Sequence, residues 1–138
     1  DKSIISYKIS KTLDLPFVLN TVQQAVNIVP FEQRRNLILH SDQGFHFTNI
    51  VYQKLLADNN IIQSISAKGS SVDNVPIESF FSTLKSECLY LIKNLKVKDI
   101  DETIDKFIEY YNNERLQEKI KELTPFEFRE LTLNSVFF

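Results

Sequence analysis

Two acidic residues have the type and setting to do chemistry together. Asp42 follows the apolar run Leu37-Ile38-Leu39 in His40-Ser41-Asp42-Gln43-Gly44, and Glu78 sits in Val75-Pro76-Ile77-Glu78-Ser79-Phe80-Phe81, with thirty-five residues between them. Carboxylate oxygens are the hard ligands that Mg2+ and Mn2+ prefer. A pair of such ions about 3.5–4 Å apart can stabilise both the attacking and the leaving oxygen of a phosphoryl transfer. That use requires acids distant in sequence to converge, which a strand end and a nearby helix can provide. Asp42 falls at the carboxyl end of a predicted strand, where ligand sites of α/β sheets tend to lie. Glu78 falls in the first turn of a predicted helix expected to pack on the same sheet. Each acid alone has an ordinary explanation: Asp-Gln-Gly suits a turn, and an acid in a helix's first turn suits the macrodipole.

The helix carrying Glu78 is expected to bury Ile77, Phe81, Leu84 and Cys88, which recur at steps of four and three. At about 100° per residue, Glu78 then lies on the flank of that line, with Ser82 and Lys85 on the same flank. A carboxylate, a hydroxyl and an ammonium in a row could serve a metal and then a DNA phosphate; a solvated Glu–Lys edge would read the same way. His40 reads as a hydrogen-bonded strand residue rather than a metal ligand, and His46 as a loop residue. The single cysteine, Cys88, reads as a small buried apolar residue and fits a reducing compartment. The only glycines, Gly44 and Gly69, mark turns close to the acids.

The elements that must position these groups follow from pattern. Residues 4–9 have the β-branched and aromatic content of a strand, after a turn at Asp1-Lys2-Ser3. Asp14 is a predicted N-cap for a helix over 15–29, whose Leu15, Val18, Leu19, Val22, Ala25, Val26 and Val29 share a face and which Pro30 ends. Residues 37–41 read as a strand covered on both faces, as in a parallel sheet. Thr48 is the expected cap of a helix over 49–58, with Val51, Tyr52, Leu55 and Leu56 inward. Residues 61–65 read as a strand and 66–74 as a loop. From 75 onward the pattern is helical, with a second stripe at Ile100, Ile104, Phe107, Ile108 and Tyr111. Thr124-Pro125-Phe126-Glu127 is a capping box that starts a last helix. The order β-α-β-α-β-α-α-α describes an α/β layer followed by helices.

A chain of 138 residues is one domain's worth and can bury a real core. With 43% apolar and 25% charged residues it is ordinary for a globular protein, and 11 Phe with no Trp make a phenyl-rich core the expectation. No run approaches the roughly 20 apolar residues of a membrane span, and no signal peptide is visible. The net charge of −2 argues against a simple DNA-binding protein. Residues 1–77 hold seven basic and six acidic groups, and residues 78–138 nine and twelve. A DNA enzyme with this balance needs a local basic patch or a separate DNA-binding domain. The start at Asp1 and the lack of Met make a piece of a longer protein the expectation.

The combination of blocks is more specific than any one residue. Residues 40–44, residues 71–87, Phe107-Ile108-Glu109-Tyr110-Tyr111-Asn112-Asn113-Glu114-Arg115 and Leu123-Thr124-Pro125-Phe126-Glu127-Phe128-Arg129 together resemble the integrase-like (DDE) catalytic core of bacterial insertion-sequence transposases, the group related to retroviral integrases. The resemblance covers nearly all of the chain, as a single partial integrase-core domain over 1–138 with 99–138 as its C-terminal helical part. It implies an RNase H-like α/β fold lacking its first two strands, with residues 4–9 as the third. It implies Asp42 and Glu78 as metal-binding catalytic acids in a site for two Mg2+ or Mn2+ ions. Lys85 carries over as a contact to the element's terminal DNA. Asn74, Ser82 and Arg115 are further DNA-binding candidates, with loop closure for Asn74 and helix pairing for Arg115 as the structural alternatives.

The implied activity is metal-dependent DNA strand cleavage and strand transfer in insertion-sequence transposition. The implied partners are element ends, target DNA and further copies of the chain on DNA, in the bacterial cytosol at the nucleoid and not at a membrane. In that family the first aspartate lies upstream of Asp1, so this piece alone is expected to be inactive. A catalytically inactive remnant that only binds DNA or pairs with an intact subunit is the alternative. A related cellular nuclease is a weaker one, because the block after Glu78 and the tail match transposases.

Overall fold

A computed structural model of the chain describes residues 1–67, 74–91 and 97–135. The chain divides into two compact units, Ile5–Val75 and a helical one made of Asp1–Ile4 with Pro76–Phe138.

In the first unit, helix α1 spans Leu15–Asn27. Its cap is as expected: Asp14 Oδ1 accepts the Phe17 N–H at 2.9 Å. A 3-10 turn at Phe31–Asn36 was not legible in the sequence; Arg34 ties it down by donating to the Val29 carbonyl at 2.8 Å and to Asn59 Oδ1 at 2.7 Å. Strand β1 (Ile38–Ser41), helix α2 (Ile50–Asp58) and strand β2 (Ile62–Ile65) follow. β1 and β2 pair in parallel, with Ile38 opposite Ile62 and His40 opposite Ser64. The core joins Val22 and Val26 of α1 to Tyr52 and Leu56 of α2 and to Ile61, with Leu37, Leu39 and Phe47 packed against it.

Three expectations for this unit are corrected. The sheet is not covered on both faces: strand alternation sends Leu37 and Leu39 into the core and leaves Ile38 65% and Ile62 53% exposed on the other side. The cap of α2 is Asn49, whose side chain accepts the Val51 N–H at 2.8 Å, while Thr48 donates instead to the Phe45 carbonyl; Val51 is half exposed. Residues 4–9 form no strand, because no ladder partner stands beside them among the described residues. The expected loop at 66–74 lies mostly outside the described residues.

In the helical unit, helix α3 (Val75–Thr83) runs into a π-turn at Leu84–Cys88 and a 3-10 turn at Leu89–Leu91. Helix α4 spans Val97–Asn113 and helix α5 Pro125–Ser135. Phe80, Leu84 and Cys88 are buried against Phe107, Ile108 and Tyr111, with Ile4 and Ile104 beside them. Phe80 meets Tyr111 edge-on, with ring centroids 5.1 Å apart. The buried line of α3 thus differs from the predicted one, and Ile77 (48%) and Phe81 (49%) are half exposed. Steps of four residues drift around an α-helix. The wider π-turn, marked by the Leu89 N–H reaching Leu84 O, turns Cys88 back under Leu84.

The capping box is present as expected: the Thr124 N–H donates to Glu127 Oε2 at 2.8 Å, and the Glu127 N–H donates to Thr124 Oγ1 at 3.2 Å. Two features went unforeseen. Gln117 and Leu123 form an isolated antiparallel bridge around a turn in which Lys121 (φ 62°) and Glu122 (φ 57°) are left-handed. The buried Asn112 side chain accepts from the Ile4 N–H at 2.9 Å and donates to the Ile4 carbonyl at 3.0 Å, pairing with it as a neighbouring strand would. Among the described residues, no helix is long and apolar enough to cross a membrane.

Candidate functional site

Asp42 is the first residue beyond β1 and is exposed. Its Oδ1 accepts the Gly44 N–H at 2.7 Å, which fixes the carboxylate over a tight turn. Gly44 gives that carboxylate room: a Cβ there would stand 2.9 Å from Asp42 Oδ1 and 3.3 Å from the Phe47 ring, so the Asp42 side chain would have to shift. The flanking residues are anchored as well. Ser41 O accepts the Ser66 N–H at 2.9 Å, and Gln43 Nε2 donates to the Ser66 carbonyl at 3.1 Å.

His40 behaves as expected of a hydrogen-bonded strand residue. Its Nδ1 lies 2.9 Å from Ser64 Oγ and its Nε2 2.9 Å from Ser66 Oγ, so both ring nitrogens are occupied. His46 is in a loop, yet it is buried, with Nε2 3.2 Å from the Leu13 carbonyl and its ring tilted against Phe45 with centroids 3.7 Å apart.

Glu78 occupies the first turn of α3, exposed and turned away from buried Phe80 and Leu84. It makes no side-chain hydrogen bond or ion pair among the described residues. Ser82 and Lys85 are exposed on the same side of the helix, as the sequence spacing required. Their apolar companions on that side are Ile77 and Phe81. Asn74 is partly buried, immediately before α3.

Arg115 has a definite structural task. It forms a two-pronged ion pair with Glu87 of the π-turn, at 2.8 Å from Nε and 2.6 Å from Nη2, and its guanidinium stands 6.0 Å from the Tyr111 ring centre. The hydrogen bond from Arg115 holds the Glu87 carboxyl below its ordinary value, and the same bond raises Arg115. Helix pairing, the structural alternative for Arg115, is therefore present.

Asp42 lies in the first unit and Glu78 in the helical one. Both offer hard oxygen donors with no ion pair among the described residues, and the turn engages only Oδ1 of Asp42 there. In kind, these donors fit Mg2+ or Mn2+. Among the described residues, no group of three or more His, Cys, Asp or Glu side chains gathers as a metal-binding cluster. Sequence reasoning missed Ser66 and Gln43 as supports of the Asp42 loop. The available signal was the alternation Ser64-Ile65-Ser66, which puts two hydroxyls on the strand face that His40 shares.

Comparison with known proteins agrees with this architecture. The chain matches the catalytic core domain of BIV integrase in structure, with a TM-score of 0.70 at 16% identity over 95% of this chain and 80% of that one. The fold is therefore that of the retroviral integrase catalytic core, the RNase H-like class. Residues 78–133 match the integrase core domain family. In sequence the chain is 38% identical, over 96% of its length and 46% of the relative's, to a protein of Escherichia coli (strain K12) assigned as transposase InsK of insertion sequence element IS150. It is 37% identical, over 97% of its length and 61% of the relative's, to an uncharacterised transposase-like protein of Haemophilus influenzae. In fold and in sequence the chain thus resembles the integrase-like cores of bacterial insertion-sequence transposases. It spans about half the length of the curated relatives it matches.

Proposed function

We propose that this chain is part of a DNA transposase catalytic domain that performs metal-dependent strand cleavage and strand transfer during insertion-sequence transposition. One observation carries the reading. Two exposed carboxylates without ion-pair partners among the described residues, Asp42 at a strand end and Glu78 in a helix's first turn, lie within the stretch over which the chain is similar to an insertion-sequence transposase. In the proposal, both acids hold Mg2+ or Mn2+ in a two-metal site of the complete domain. Bound metal would supply charge stabilisation at the attacking and leaving oxygens of a phosphodiester.

The chain's own residues have separate tasks. The Gly44 N–H holds one Asp42 oxygen and leaves the other for the metal. Lys85 places an ammonium two turns beyond Glu78, within reach of a phosphate of the element's end. Ser82 and Asn74 add hydrogen-bonding groups at the same helix. Arg115 is assigned to the Glu87 pair first and to DNA second. The partners are element ends, target DNA and further copies of the chain on DNA, in the bacterial cytosol at the nucleoid.

The test is a full-length protein carrying Asp42→Asn, and separately Glu78→Gln. Each should retain DNA binding and lose metal-dependent joining. Joining that survives either change would remove that acid from the proposed site.

A further inference from the structure

We infer that Ser66 is the positioning residue of Asp42: it clasps the backbone on both sides of that acid to the end of β2. Four of its contacts converge. Its N–H and Oγ both reach the Ser41 carbonyl, at 2.9 and 3.4 Å. Its carbonyl accepts from Gln43 Nε2 at 3.1 Å. Its Oγ lies 2.9 Å from His40 Nε2. Ser41 and Gln43 are the immediate neighbours of Asp42, so both ends of the one-residue span carrying the carboxylate are tied to one serine. Ser66 is itself 5% exposed, which shields these bonds from competing water.

His40 completes the clasp from β1. Its Nε2 shares a hydrogen bond with Ser66 Oγ, and its Nδ1 shares another with Ser64 Oγ, the hydroxyl of its register partner across the strand pair. The imidazole therefore fixes the rotamer of Ser66 rather than touching Asp42. Among the described residues the one direct hold on the carboxylate is the Gly44 N–H, and its geometry depends on where Ser41 and Gln43 are pinned.

Ser66 matters to the chemistry only if Asp42 holds metal as proposed above, so the test reads the carboxylate's position first without metal and then with it. The probe is amide exchange of Gly44 in the 15N-labelled chain of 138 residues. Ser66→Ala keeps the two backbone ties and removes the hydroxyl's contacts to Ser41 and His40, and should speed exchange at Gly44 by roughly tenfold, the scale of one lost hydrogen bond. The Phe17 and Val51 amides, bonded to the cap side chains of α1 and α2, should keep their protection. Gln43→Leu, at an exposed site that the core does not use, should shift Gly44 in the same direction and decides the matter if Ser66→Ala does not fold. Unchanged Gly44 protection in the folded variants would overturn the positioning role. Mn2+ is then added: paramagnetic broadening should centre on Gly44 in the unaltered chain and weaken in Ser66→Ala. An unaltered chain that shows no such broadening would overturn the metal role of Asp42, while the exchange result on Ser66 would still stand.

Discussion

Asp42 and Glu78 are mounted by opposite means. Asp42 is held by hydrogen bonds: its own carboxylate is bonded to Gly44, and its neighbours are tied to Ser66. The Glu78 side chain is held by no hydrogen bond or ion pair among the described residues. Its place is set by the far side of its helix, where Phe80, Leu84 and Cys88 pack on Phe107, Ile108 and Tyr111. The difference teaches that a strand-end acid is aimed by local polar geometry, which is short-ranged and directional. A helix-borne acid is aimed by apolar burial one half-turn away, which is large and non-directional. The first should fail through small steric changes, the second through loss of core volume.

Phe80→Ala attacks the mount of Glu78 and should have the largest effect. Removing a buried ring costs about 3–5 kcal/mol, so a urea melt should show the helical unit losing most of its stability. A cost below about 1 kcal/mol would mean that packing does not hold this helix.

Gly44→Ala attacks the mount of Asp42 by a different route. The new methyl meets Asp42 Oδ1 and the Phe47 ring, and the carboxylate, as the movable end of a side chain, is the group that must shift. The carboxylate should leave its turn, and Mn2+ titration of the chain should show weakened binding. Affinity equal to that of the unaltered chain would contradict the idea that this turn aims the acid.

Tyr52→Phe sharpens the contrast from beneath the same strand–loop unit. The Tyr52 hydroxyl is fully buried with no hydrogen-bond partner among the described residues, and burial pushes its pKa up to about 12. Deleting the hydroxyl should therefore be neutral or stabilising by about 1 kcal/mol. The pH response has a definite sign. The unfolded phenol ionises near 10 and the folded one near 12, so the unfolded state binds fewer protons between these values. Stability should fall as pH rises through that window in the unaltered chain, and this phenol's share of the fall should vanish in Tyr52→Phe.

Glu87→Gln should have the smallest effect. The pair with Arg115 is partly exposed, so its removal should cost about 1 kcal/mol or less. Because Arg115 lowers the Glu87 pKa, the pair's contribution is present above the ordinary carboxylate range and is lost as pH falls through the lowered value. Acid titration of stability in the variant should lack that step.

Much of this was legible along the chain. Asp14 before α1, the Thr124–Glu127 box before α5 and the Phe107–Ile108–Tyr111 stripe are local signals, and each stands as read. Other features were not legible. Thr48 and Asn49 are both good caps, and only the path of the turn after Gly44 selected Asn49. Lys121 and Glu122 carry no glycine to announce their left-handed turn. Asn112 reaches Ile4 across more than a hundred residues, a distance that no periodicity can register.

By itself the sequence determined which residues could do chemistry and the kind of element each would ride on. Cap side chains, strand alternation and helical period are encoded within a few residues. Tertiary structure alone decided which stripe of α3 is buried. Ile77–Phe81 and Phe80–Leu84 are equally good apolar pairs on a helix, and only the packing of α4 against one of them breaks the tie. It also decided that Ser66 would brace Asp42. A residue acquires that task only when a second strand brings its backbone N–H and its hydroxyl within 3 Å of the first.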